Sequence, residues 1–310
     1  MAPKPTTGRP RVPAAGSRAP SKVTWHHHGL EGMRDGSVDE VIRGPFLIDA
    51  HVHLHGCFDE DHFLASAAAN FAAGAQEVGA AEGWTGWLLF TEVAGEHRFR
   101  ELAERGVGRG GFTVGATAEA ASLIVSRRGA PELVLVAGRQ LRARGGLEVL
   151  ALGTTAEFPD GLPLAEAVAA VRAAGALAIV PWGFGKWWFG RKRALAELLE
   201  SAETGELFLG DNGNRARLSP TPAPFRRAAR RRIWVLPGSD PLPLGTEVTK
   251  VGRYGLVLEG DVSRAMPARD LIGLIRAQTA QPPTFGRREG LGPFARNQIA
   301  MQLRGRRLVS

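Results

Sequence analysis

Between residues 47 and 56 the chain reads Leu-Ile-Asp-Ala-His-Val-His-Leu-His-Gly, and His51 and His53 are its clearest candidates for chemistry. Side chains two apart on a strand share a face, so two neutral imidazoles at this spacing can grip one divalent cation. Strict alternation puts Ile48, Ala50, Val52 and Leu54 on an apolar face, and Asp49, His51, His53 and His55 on the other. Asp49 is placed to orient a histidine from behind, and His55 falls past the strand end. The competing reading is a polar strand face with histidines satisfied inside the fold. An Asp-x-His-x-His row is costly to bury without partners, which favours the metal site.

Further polar clusters follow other apolar strands: Thr91-Glu92, Gly138-Arg139-Gln140, the segment from Pro181, Gly210 to Arg215, and Pro237 to Asp240. The segment 181–193 carries Trp182, Phe184, Trp187, Trp188 and Phe189 among glycines, interleaved with Lys186, Arg191, Lys192 and Arg193. Lys186 can neutralise a phosphate and Arg191 can hold one bidentately. Trp182 and its neighbours can wall a pocket. The alternative is that these rings plug a space without binding anything. Asp211, Asn212, Asn214 and Arg215 form a second polar loop able to bind substrate, although an Asn-Gly turn is ordinary loop chemistry.

These residues must be positioned by alternating strands and helices. Apolar runs at 87–91, 133–137, 147–152, 176–180, 207–209 and 233–236 read as short buried strands, with an Arg-Gly-Gly turn at 144–146. Stretches at 62–81, 96–105, 117–126, 164–174 and 194–202 read as helices. Such alternation predicts a parallel sheet with functional groups gathered at strand C-termini.

The order of these motifs resembles the polymerase-and-histidinol-phosphatase family over roughly residues 46–244. His51-Val52-His53 resembles its opening His-x-His, and Gly238-Ser239-Asp240-Pro241-Leu242 its closing Gly-Ser-Asp-x-His. The resemblance implies a distorted seven-stranded βα barrel, a (β/α)7 fold, that binds up to three metal ions and hydrolyses phosphoesters. Four expected ligand positions depart from the pattern: Val93, Gln140, Trp182 and Leu242. Val, Trp and Leu cannot ligate, and Gln is a poor substitute for a bridging carboxylate. What remains implies about one metal ion (zinc, manganese or iron), held by His51, His53 and Asp240 with Glu92 as a weaker fourth. The chain also resembles amidohydrolase barrels, though less closely.

The expected organisation is a disordered basic tail over 1–22, a lead-in over 23–45, the barrel over 46–280 and a basic extension over 281–310. The 310 residues are 44% hydrophobic, enough for one large domain. A single cysteine, Cys57, excludes an internal disulfide framework and points to a reducing compartment, so a cytoplasmic protein is expected. No run is apolar enough to span a membrane. The net charge of +8 fits nucleic acid or an anionic substrate, but the basic run 226–232 reads as a solvated helix end rather than a binding motif.

The leading functional reading is a metal-dependent phosphoesterase acting on a small anionic, phosphorylated substrate. Asp240 serves as ligand or base, and Lys186 and Arg191 stabilise developing charge. The alternatives are a non-catalytic binding or scaffold protein that holds no metal and, third, a nucleic-acid processing factor.

Overall fold

Short apolar strands form where every side chain has somewhere dry to go, and the computed structural model shows three such places. It describes residues 40–80, 82–106, 110–183, 185–188, 190–290 and 292. The expected tail over 1–22, and most of the lead-in and C-terminal extension, lie outside the described residues.

In chain order the elements are β1 (Val41–Arg43), β2 (Phe46–Val52), α1 (Glu60–Glu77), β3 (Thr85–Phe90), α2 (Arg98–Arg105), β4 (Thr113–Ala116) and β5 (Ser122–Ser126). Then come β6 (Leu133–Val136), β7 (Gly138–Arg142), β8 (Glu148–Leu152), α3 (Leu164–Ala173), β9 (Leu177–Pro181), α4 (Gly190–Ser201) and β10 (Phe208–Asn212). The last are α5 (Ala223–Arg230), β11 (Val235–Gly238), a 3-10 turn (Gly245–Lys250), β12 (Tyr254–Leu258), β13 (Asp261–Ser263), α6 (Pro267–Arg276) and β14 (Thr284–Gly286).

The strands make a seven-stranded sheet in the order β14-β12-β2-β3-β6-β5-β4, a five-stranded sheet β11-β10-β9-β8-β7, and the pair β1-β13. At the centre of the first sheet β2, β3 and β6 run parallel. All are buried along their whole length, as parallel strands covered on both faces require. Leu47, Leu88 and Leu135 pack with Phe63 and Phe71 of α1 on one side. Ile48, Trp87 and Val134 join Leu150, Ile179, Phe208 and Leu236 of the second sheet in a core shared by both sheets, with Leu271 and Ile275 of α6. Behind the second sheet, Val149, Ala178 and Leu209 pack on Val168, Leu195 and Phe225 of α3, α4 and α5.

The expected seven-stranded βα barrel is not formed, and the barrel and family assignments built on it are not supported. The strands lie in three sheets, and two stretches break the parallel alternation. The strands β4, β5 and β6 make an antiparallel meander, and β8 runs antiparallel to both β7 and β9. The expected helix at 117–126 is instead a turn leading into β5. Its Ala-rich start suggested a helix, but Leu123-Ile124-Val125 fill the core as a strand. The links from β5 to β6 and from β7 to β8 are too short for a crossover, which needs a dozen or more residues. The second link carries Gly145 and Gly146 at φ +86° and +87°, glycine territory in a hairpin. An isolated bridge between Glu92 and Arg139 and an Asp240 N–H to His51 O bond of 2.8 Å join the sheets on either side. These single contacts do not close them into a barrel.

Candidate metal centre

The site is built where β2 loses its regular register. Pairing of β2 with β3 shifts between Asp49 and Val52, and a bulge of this kind changes which face the following side chains take. Val52 and Leu54 accordingly pack in the α1-side core with Leu47, while Ile48 and Ala50 face the core between the sheets. His51 and His53 turn toward each other, with Nε2 atoms 3.2 Å apart. Asp49 does not orient either ring. Its carboxylate accepts the backbone N–H groups of Ser239 at 2.8 Å, Gly252 at 2.9 Å and His51 at 3.3 Å. Complete burial pushes it up to about 7 against those donors. It fastens the end of β11 and the approach to β12 onto β2.

The third member arrives from β11. Gly238 lies so close to β2 that a Cβ there would sit 2.3 Å from His51 N, so only glycine lets the two strands approach. Two residues on, Asp240 adopts φ +46°, a left-handed conformation that Asp and Asn tolerate better than other side chains. Its Oδ1 lies 3.5 Å from His51 Nε2 and 3.6 Å from His53 Nε2. Asn212, at the end of β10, donates Nδ2–H to Asp240 Oδ2 at 2.8 Å and to Trp182 O at 2.8 Å. Asn214 donates to the Asp240 carbonyl. His55 donates Nε2–H to Pro241 O at 2.9 Å.

His51, His53 and Asp240 form a cluster that could hold a metal ion, with all three ligand atoms within 4.8 Å of one another. Bonds of 2.0–2.1 Å in a tetrahedral site give ligand–ligand edges of about 3.3 Å; the observed edges are 3.2, 3.5 and 3.6 Å. The donor set of two imidazoles and one carboxylate is also one that zinc accepts. The electrostatics agree. Burial, and next the neighbouring His51, push the His53 imidazolium down to about 3, so its ring is neutral. Burial alone would raise Asp240, but His51, His53, Lys186 and His55 outweigh it and hold its carboxyl below the usual range. A depressed carboxylate with one oxygen held by Asn212 suits ligation better than proton abstraction.

Around the cluster is a cavity of about 320 Å³. Lys186 lines it, and its backbone N–H donates to Gly183 O at 3.0 Å. The lysine stem lies flat against Gly183, where a Cβ would come within 2.5 Å of Lys186 Cδ. Its ammonium pairs with Glu148 at the start of β8. Because β8 runs antiparallel to β9, its first residue reaches the end of the fold where β9 and β10 finish. Sequence reasoning searched strand C-termini and missed Glu148. The five-residue link carrying Gly145 and Gly146 was the available signal.

Other expected site residues lie elsewhere. Glu92 does not join the metal cluster: its Oε1 accepts Phe99 N–H at 2.6 Å, capping α2, and its Oε2 lies 3.2 Å from Arg139 Nη1. Burial raises its pKa. Alternation explains the misplacement, because Val93, the next residue, is the one that lines the cavity. Asp211 and Arg215 are buried in a bidentate pair with two contacts of 2.7 Å, completed by Tyr254 OH at 3.0 Å. Arg191 donates to Gly185 O at 3.1 Å and ties α4 to the preceding turn. Of the aromatic run, Trp182 lines the cavity, Trp187 is buried edge-on against Phe225, and Trp188 is exposed. Phe184 and Phe189 lie outside the described residues. Val93, Gln140, Trp182 and Leu242, the four non-ligating residues at expected ligand positions, all line this same cavity.

No family model matches the chain, and no curated protein matches it. Among solved structures, the crystal structure of PsfC from Pseudomonas syringae PB-5123 is similar at 14% identity and a TM-score of 0.46, over 84% of this chain and 98% of that one. A likeness this slight carries no argument about fold or function. Among the described residues no helix is long and apolar enough to cross a membrane.

Proposed function

We propose that this chain is a metal-dependent hydrolase of small phosphoesters that works with one divalent ion, zinc, manganese or iron. The observation that carries the reading is the convergence of His51 Nε2, His53 Nε2 and Asp240 Oδ1 at near-tetrahedral spacing on a cavity that also holds a lysine. A divalent ion held there supplies positive charge to developing oxyanions and lowers the pKa of water. Asp240 would hold such an ion together with His51 and His53, while Asn212 donates to its Oδ2. Lys186, whose ammonium is shared with Glu148, donates hydrogen bonds to the phosphoryl oxygens. The cavity volume lies near the lower end for small-molecule sites, which suits a small substrate rather than a polymer.

One observation favours the second reading, a non-catalytic binding protein. Both His51 and His53 have a buried Nδ1 without a hydrogen-bond partner, whereas metal-bound histidines almost always donate that N–H. Elemental analysis of untagged protein purified without chelator separates the two. About one transition metal per chain is expected. Two or more tightly held ions would overturn the ligand assignment. No metal under any loading condition, with His51→Ala neutral for stability, would favour the binding protein. Hydrolysis of a panel of phosphomonoesters and phosphodiesters with added manganese or zinc then tests the chemistry. Asp240→Asn, which keeps the left-handed backbone accessible, is expected to abolish activity. Lys186→Met is expected to remove on the order of a hundredfold of rate and, because it strips Glu148 of its partner, to lower the melting temperature modestly, whereas Asp240→Asn is expected to leave the melting curve unchanged.

A further inference from the structure

The lysine that faces the metal cluster is not a free cation, and this bears on what the cavity can hold. Lys186 is paired with Glu148, whose side chain is only 14% exposed, and both line the cavity. Histidines bind a metal as neutral imidazoles. A divalent ion, the Asp240 carboxylate and the mutually cancelling Lys186–Glu148 pair therefore leave the cavity with a single net positive charge. Apolar side chains also line the cavity: Val93, Trp182, Pro241, Leu242 and Pro243. A phosphomonoester above its second pKa of about 6 carries two negative charges. Its additional negative charge would find no second uncompensated cation among these groups and would lie near the Glu148 carboxylate, and an unpaired charge is costly to desolvate.

We propose that Glu148 is a specificity-determining residue which, by cancelling the charge of Lys186, selects monoanionic phosphodiesters over dianionic phosphomonoesters. A diester matches the single net charge, and its second ester arm has apolar lining residues to pack on. Hydrolysis then adds water oxygen to phosphorus and breaks one P–O ester bond. The departing alkoxide takes up one proton from water, giving an alcohol, and the phosphomonoester product leaves with the second proton released to solvent. The product is the species that the cavity holds less well, which favours its release. This inference rests on the metal-dependent reading above.

Calorimetric titration of the metal-loaded full-length protein at pH 8 with phenyl phosphate and with its methyl ester tests the selection independently of turnover. Rates on p-nitrophenyl phosphate and bis(p-nitrophenyl) phosphate provide a second readout. The wild type is expected to prefer the diester in both. Glu148→Gln, which keeps the shape and removes the charge, is expected to shift the diester-to-monoester ratio at least tenfold toward the monoester. Glu148→Asp is expected to retain the wild-type preference. A wild type that prefers the monoester, or a Glu148→Gln protein with one bound metal, an unchanged melting curve and an unchanged ratio, would overturn the inference and leave the hydrolase reading standing. A wild type that binds neither metal nor either anion would overturn both.

Discussion

His51 and His53 were legible in the sequence because two imidazoles at strand spacing are a local signal, whereas Asp240 entered only through the resemblance of its Gly-Ser-Asp context to a known motif. What became of their neighbours was not local. Asp49 looked like a partner for a histidine ring, yet a register shift one residue later turned it onto three backbone N–H groups. Asp211 and Arg215 looked like substrate contacts but satisfy each other at burial, as buried charges must. The burial of His53 has a consequence that pH can read. Its folded pKa is about 3, whereas an unfolded histidine titrates near 6.5. As pH falls from about 6.5 toward 3, the unfolded chain takes up a proton that the folded chain refuses. Stability of the metal-free protein should therefore fall with acidity through that window. From pH 6.5 to 5 the loss is on the order of 2 kcal/mol. Urea melts of wild type and His53→Asn at the two pH values check this: the variant should show a smaller pH-dependent loss, and an equal one would refute a proton-refusing His53.

At the scale of elements, half of the fourteen described strands (β2, β3, β6, β8, β9, β10 and β11) announced themselves through apolar runs, whereas β1, β4, β7 and β12 to β14 did not and β5 was read as a helix. Strand direction in the sheet did not announce itself. Helix α1 and strand β3 occupy nearly the expected stretches, because each has enough periodic apolar content of its own. Strand β8 was also expected, but its antiparallel course followed from the length of a link, and this put Glu148 on the site. The approach of β11 to β2 depends on Gly238 at a distance that no side chain allows. Gly238→Ala is expected to push β11 away and carry Asp240 from the histidines. A destabilisation of about 2–3 kcal/mol and loss of metal binding should appear together. Thermal melts and metal titration on the same preparations test it; full metal affinity in a destabilised Gly238→Ala protein would show that the triad does not depend on this contact.

Over the whole molecule, the charge that suggested a nucleic-acid partner is partly spent internally. Within the basic run, Arg227 and Arg231 both pair with Glu200 of α4. A second charged group is more consequential because it is buried. Lys250 pairs with Glu247 at 2.7 Å and with Glu289, all with side chains under 10% exposed, and so ties the 3-10 turn after β11 to the segment beyond β14. Removing one partner of a buried ion group leaves uncompensated charge. Lys250→Met should cost about 3 kcal/mol, whereas Arg227→Met on the exposed pair should cost under about 1 kcal/mol. Chemical denaturation of the two variants compares them directly, and equal costs would mean that the Lys250 group contributes no more than a surface pair.

The sequence by itself determined that the chain is an α/β protein with buried apolar strands, and that two histidines two residues apart on one strand were candidate ligands. These are properties of short windows: spacing, periodicity and donor chemistry act within a few residues. Only the tertiary structure decided that the strands divide into three sheets instead of closing a barrel. The reason is that strand direction follows from whether a link can cross over, and edge pairing from contacts between residues far apart in the chain. The same long-range packing brought Gly238 onto His51, turned Glu92 away from the cavity and set Glu148 against Lys186.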